Sequence, residues 1–170
     1  MILKFCHKNF FMAQNQPKKS VDKILQDERT SLKRNPIQGA TFNWELKNLK
    51  HFQVVITGPT GSFYEGGEFE IDIKIRPNYP DQAPLVIMTT PIIHPNIDAD
   101  DGAVCVACLR KFHNSEVGIR DIVNEVIDAL ANPKTSDPLN TQAALLLDQN
   151  IELFKQKVKA QISENNLNAD

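Results

Sequence analysis

The sequence predicts an α+β fold, and three observations lead there. Apolar residues recur at helical spacing near each end of the chain. The middle alternates apolar and polar residues with period two. The two kinds of element are segregated along the chain rather than interleaved, so a parallel sheet built from βαβ units is not expected. With 170 residues, 41% of them apolar and 24% charged, the chain has the size and composition of one globular domain. A domain this long buries roughly 70% of the surface its unfolded chain exposes.

Residues 1–19 are read as a flexible tail with an apolar tip. Met1-Ile2-Leu3 and Phe10-Phe11-Met12 are apolar, but Lys4, His7, Lys8 and Asn9 interrupt them, which fits a secretory signal poorly. Ser20 is the expected N-cap of a first helix over 21–34, with Val21, Ile24, Leu25 and Leu32 as its stripe. Asn35-Pro36 ends it, because proline disfavours helical geometry in the residue before it. Strands follow. Phe42, Trp44 and Leu46 alternate, then Phe52, Val54 and Ile56, then Phe69, Ile71, Ile73 and Ile75. Leu85-Val86-Ile87-Met88 is a fourth strand. Gly58-Pro59-Thr60-Gly61 and Glu65-Gly66-Gly67 supply turns. Short connections predict an antiparallel meander. From Thr89 to Gly118 no period is visible, and a long irregular stretch inside a domain is usually functional. Ile119, Ile122, Val123, Val126, Ile127 and Leu130 then mark an amphipathic helix that Asn132-Pro133 ends. A last helix is expected from Thr141 to about Ser163, with 164–170 frayed. The domain proper is 20–163.

The 19 basic and 21 acidic residues give a charge of -2. That argues against a broad cationic surface, so neither nucleic acid nor membrane is an expected partner. No run approaches the ~18 apolar residues of a membrane span. Three cysteines make a disulfide framework improbable and favour a reducing compartment, so a cytoplasmic or nuclear location is expected.

The irregular stretch holds the chemistry. His94, Cys105, Cys108 and His113 have ligand types and spacing that suit zinc. Against that, Val106 and Ala107 offer no turn residue and His94 precedes a proline. Cys105-Val106-Ala107-Cys108 is also a C-x-x-C, but the βαβ setting of a dithiol redox site is missing. In a third reading one cysteine carries an acyl group as a thioester and passes it to an amine. Such a site needs donors for the tetrahedral oxyanion and help with the incoming lysine's proton. The Asn96 amide is a suitable donor. In the fourth, both cysteines are small buried side chains.

At this point the sequence resembles a family. His94-Pro95-Asn96-Ile97, the Gly-x-Val-Cys-like approach to Cys105, and Leu109-Arg110 are similar to the core signature of ubiquitin-conjugating enzymes. Gly58-Pro59, the segment Tyr64 to Phe69, Tyr79-Pro80 with Pro84, and Asp137-Pro138-Leu139 resemble further family motifs in order, over about residues 20–160. The resemblance implies the ubiquitin-conjugating (UBC) fold. It implies Cys105 as thioester nucleophile, Asn96 as oxyanion stabiliser and Asp137 as the residue that positions lysine. His94 and Pro95 would shape the loop. It implies no metal or other cofactor. The implied partners are a ubiquitin-like modifier, an activating enzyme, a ligase and the lysines of protein substrates, met by a monomer.

The stretch from Asp137 to Val158 is similar to that of the family's neddylation-specific member, as is Met1-Ile2-Leu3-Lys4-Phe5. A Nedd/Rub-type modifier is therefore expected, with ubiquitin as the alternative. Ile2, Leu3 and Phe5 would dock an activating enzyme. The sequence also departs from the pattern. One residue is inserted between Ile97 and Cys105. The usual Trp and Pro after Leu109-Arg110 are missing. Asp81 stands at a partner-binding position where many ubiquitin-specific members are apolar. These departures keep open a catalytically silent variant that acts as a binding module. Cys108 either closes a reversible disulfide with Cys105 or points into the core.

Overall fold

The computed structural model describes residues 19–44, 48–110, 112 and 117–169. The readings placed on Ile2, Leu3, Phe5, Leu46 and His113 lie outside these residues.

Helix α1 spans Val21–Arg34. Ser20 caps it, its Oγ accepting from the Lys23 N–H at 3.3 Å. Asn35 ends it with its N–H on the Ser31 carbonyl. Four strands follow: β1 Ala40–Trp44, β2 His51–Thr57, β3 Glu68–Lys74 and β4 Leu85–Met88. They pair antiparallel in the order β1-β2-β3-β4, the expected meander. The register explains the alternation in the sequence. Phe52 lies opposite Ile73, Val54 opposite Ile71, and Ile56 opposite Phe69. Ile73 in turn pairs with Val86 and Ile71 with Met88. All of these are buried, so one face of the sheet is continuous core.

A short helix, α2 Ala107–Arg110, interrupts the irregular stretch and was not expected. Helix α3, Ile119–Ala131, buries Ile119, Ile122, Val123, Val126 and Leu130. At roughly 1.5–3 kcal/mol for each fully buried aliphatic side chain, this stripe fixes the helix on the core. Arg120 fastens α3 to the end of α1 by donating to the Asn35 carbonyl at 2.6 Å.

The single last helix expected from the sequence is two. Helix α4 is Thr141–Gln149 and α5 is Ile151–Ala169. Asn150 separates them in a non-helical conformation, and its Oδ1 accepts from the Leu153 N–H at 3.0 Å. Asparagine competes with the helix for local hydrogen bonds, so it stops one helix and caps the next. The end expected near Ser163 also lies further on. Asn165 Nδ2 donates to the Pro91 carbonyl at 2.8 Å, which ties the last turns to the sheet side of the molecule. Phe154 packs edge-on against Phe63, their centroids 5.2 Å apart, and joins α5 to the hairpin after β2.

Candidate active site

The irregular stretch is held together by hydrogen bonds that the sequence pattern does not display. His94 is fully buried. One ring nitrogen, Nε2, lies 2.9 Å from the Ala129 carbonyl of α3, and Nδ1 accepts from the Asn96 N–H at 2.9 Å. That pairing defines a neutral ring with its proton on Nε2. Burial pushes its pKa down to about 4. Both ring nitrogens are used inside the protein, so the zinc reading loses one ligand.

Pro95 and Asn96 reach the segment after α3. The Pro95 carbonyl accepts from the N–H groups of Leu139 and Asn140 at 2.9 and 3.0 Å. The Asn96 side chain grips the main chain of Lys134 from both sides: Oδ1 accepts from its N–H and Nδ2 donates to its carbonyl, each at 2.9 Å. Three consecutive residues thus bind α3, residue 134 and residues 139–140. The segment that carries Asp137 is fixed at both ends. Asp137 does not cap α4; Asn140 does, accepting from the Ala143 N–H at 2.9 Å.

Cys105 joins the same frame. Its N–H donates to the Asn96 carbonyl at 3.0 Å, and Val104 bridges Ile97. The stretch read from the sequence as carrying an inserted residue forms the turn from Asp98 to Gly102. Asp98 Oδ1 accepts from the Asp100 and Asp101 N–H groups, and Asp101 Oδ1 from that of Ala103. Gly102 closes the turn at φ +70°, where a Cβ would lie 2.2 Å from the Met88 carbonyl oxygen.

The Cys105 thiol is half-buried and faces an open cleft of about 310 Å³. Asn96, Arg110, Glu125, Lys134 and Asp137 share its wall. Arg110 at the end of α2 joins the pieces. Its Nε donates to Cys105 Sγ at 2.8 Å, and its Nη1 pairs with Asp137 Oδ2. The Asp137 carboxylate, and after it Sγ, holds the guanidinium further on its charged side. The sequence reading used Arg110 only as part of a motif. Its five-residue spacing from Cys105, across one turn of α2, is the signal that would have placed it here.

The other predicted residues sit apart. Cys108 is buried, its N–H donating to Glu125 Oε2 at 2.8 Å. Burial, and then the Glu125 carboxylate, push its thiol pKa up to about 12. It packs as core, and a thiol held protonated there is a poor partner for disulfide exchange. Asp81 is exposed on the loop before β4, away from the cleft.

Fold and cleft define a class: an α+β domain that presents one accessible thiol, with a carboxylate beside it, on a loop braced by a buried histidine and asparagine. Residues 23–162 match the family model described as "Ubiquitin-conjugating enzyme". The chain belongs to that family, transferases that act through a cysteine thioester. It is 35% identical to the fission yeast (Schizosaccharomyces pombe) ubiquitin-conjugating enzyme E2-20 kDa, over 75% of this chain and 72% of that protein. With ubiquitin-conjugating enzyme E2 13 of Saccharomyces cerevisiae the identity is 36%, over 74% and 81% of the two chains. The solved ubiquitin-conjugating E2 domain from Toxoplasma gondii superposes with a TM-score of 0.75 at 30% identity, over 84% of this chain and 96% of that one.

Proposed function

We propose that this protein carries the C-terminal acyl group of a ubiquitin-like modifier as a thioester on Cys105 and passes it to lysines of protein substrates. The observation that supports this best is the pairing of an accessible thiol and a carboxylate, both held by Arg110 in one open cleft. In loading, the Cys105 thiolate attacks the thioester on an activating enzyme; one C–S bond forms and another breaks. In discharge, a lysine nitrogen attacks the carbonyl carbon, and the Cys105 thiolate leaves. Asp137 receives the lysine's positive charge and orients its nitrogen. The second N–H of Asn96 Nδ2, the one not given to Lys134, is the donor available to the oxyanion from the cleft wall. His94 and Pro95 hold this wall in place and take no part in proton transfer.

For the modifier we favour the Nedd/Rub type, supported by the similarity of residues 137–158 and of Ile2, Leu3 and Phe5 to the neddylation-specific member. Ubiquitin is the second reading, favoured by the names of the relatives above. Asp81 would contact a ligase. The protein would work as a monomer in the cytoplasm, the nucleus or both.

A thioester assay tests this reading. The protein is mixed with ATP and either activating enzyme with its own modifier, and products are run with and without reductant. A reductant-sensitive adduct is expected that Cys105→Ser abolishes and Cys108→Ser retains. The pair that loads it names the modifier. No adduct with either pair would make the protein a silent binding variant, and loss only in Cys108→Ser would move the carrier to that residue.

A further inference from the structure

The cleft that holds the thiol also holds an amine of the protein's own. Lys134 is the lysine that lines it among the described residues. We propose that Lys134 is a self-modification site: the acyl group on Cys105 is transferred in cis to Lys134 Nζ, with the modifier left there in an amide bond. The proposal rests on Cys105 being the carrier.

Three observations carry it. First, Lys134 is fixed relative to the thiol. Its main chain is held by Asn96 at 2.9 Å on both sides, and the Asn96 carbonyl receives the Cys105 N–H at 3.0 Å. Two hydrogen-bonded links therefore separate the two backbones. Second, the ammonium is loosely held. Its side chain is 68% exposed, and its ion pair with Asp128 is long, 3.9 Å, to a carboxylate that also lines the cleft. A flexible four-carbon stem and a weak exposed pair leave Nζ free to sweep the cleft. Third, Asp137, the carboxylate proposed to receive substrate lysines, is three residues further along the same braced segment and shares the wall. A lysine from this segment meets the same carboxylate without a bimolecular encounter.

The step balances without another reactant. The Lys134 ammonium gives up one proton, and neutral Nζ attacks the thioester carbonyl carbon. The C–N bond forms and the C–S bond breaks. The amide nitrogen releases a second proton as the intermediate collapses. One of the two protons goes to the departing Cys105 thiolate and the other to solvent through Asp137. The product holds the modifier's C-terminus beside Cys105, where it denies the cleft to substrate lysines. Unused charged enzyme would switch itself off.

The test uses the full chain with ATP, no substrate and no ligase, and ubiquitin or the Nedd-type modifier, each with its activating enzyme. The expected result is a reductant-resistant adduct of one modifier, mapped to Lys134 by mass spectrometry of the digested protein. Its formation should be first order in charged enzyme, with a rate constant unchanged on dilution. Lys134→Arg preserves the main-chain bonds to Asn96 and should slow the adduct at least tenfold, with the thioester read in the same lanes. In a mixture of Cys105→Ala with Lys134→Arg, the Cys105→Ala chain should stay unmodified at Lys134. A modifier found on another lysine, Lys111 included, with Lys134 untouched would overturn the proposal. So would modifier on Lys134 of the Cys105→Ala chain, or a thioester that persists with no resistant adduct. Failure to form any thioester overturns the carrier reading, and this proposal with it.

Discussion

Arg110 is the residue on which the site's geometry turns. Its guanidinium has a fork of donors, and here one edge takes a sulfur and the other a carboxylate. Asp137 is otherwise exposed, its side chain 73% accessible, so little else fixes its direction. Removing the fork should leave the thiol in place and release the carboxylate. Arg110→Ala is expected to slow discharge of a preloaded thioester to free lysine about tenfold, equivalent to ~1.4 kcal/mol, while loading survives. Arg110→Lys keeps the charge but loses the fork and should fall between. Single-turnover discharge over a lysine series separates binding from rate. If Arg110→Ala discharges as fast as the unaltered protein at every lysine concentration, the residue does not position Asp137.

At the scale of elements, the turn from Asp98 to Gly102 takes in the stretch read as carrying the inserted residue. Its Asp side chains cap three N–H groups and let the chain re-enter at the bridge between Ile97 and Val104. Gly102 is needed twice over, for its positive φ and for its close approach to β4. Gly61 has a positive φ as well, +79°, but open space around it. Gly102→Ala should therefore destabilise clearly more than Gly61→Ala, where only the backbone strain of about 1–3 kcal/mol applies. It should also speed hydrogen exchange at the Cys105 amide, which bonds to the Asn96 carbonyl. Urea midpoints and amide exchange on both variants check this, and equal losses would remove the turn from the account.

At the scale of the whole molecule, His94 links the sheet side to the helical side. Tyr64 Oη donates to the Ile93 carbonyl at 2.8 Å just before it, and its own ring reaches the last residues of α3. Its pKa lies near 4 when folded against an ordinary 6.5. Between those values the unfolded chain takes up a proton that the folded one refuses. The stability that this neutral ring contributes is complete above about pH 6.5 and is lost as pH falls toward 4; the difference is on the order of 3 kcal/mol. His94→Gln stays uncharged throughout. The gap in unfolding free energy between the two proteins should therefore narrow from pH 7 to pH 4, and parallel curves would contradict it.

The sequence by itself determined the element types and most of their order. Period-two and period-3.6 patterns report which face of a strand or helix is buried, and Phe52 to Ile56 or Ile119 to Leu130 carry that pattern without help from distant residues. It also located the irregular stretch and, within it, Cys105 and Asn96; Asp137, beyond α3, was reached only through the family resemblance. It missed the break at Asn150, because the apolar stripe of α4 and α5 continues through a residue whose side chain stops one helix and starts the next. Only the tertiary structure decided what the loop residues do. The Asn96 amide is spent largely on Lys134, His94 on Ala129, and Arg110 on two groups 5 and 27 residues away in sequence. Such bonds join positions remote in the chain, and no local periodicity encodes them. Burial is local enough to be written in a pattern, whereas a hydrogen bond between loops depends on where the whole fold brings their backbones.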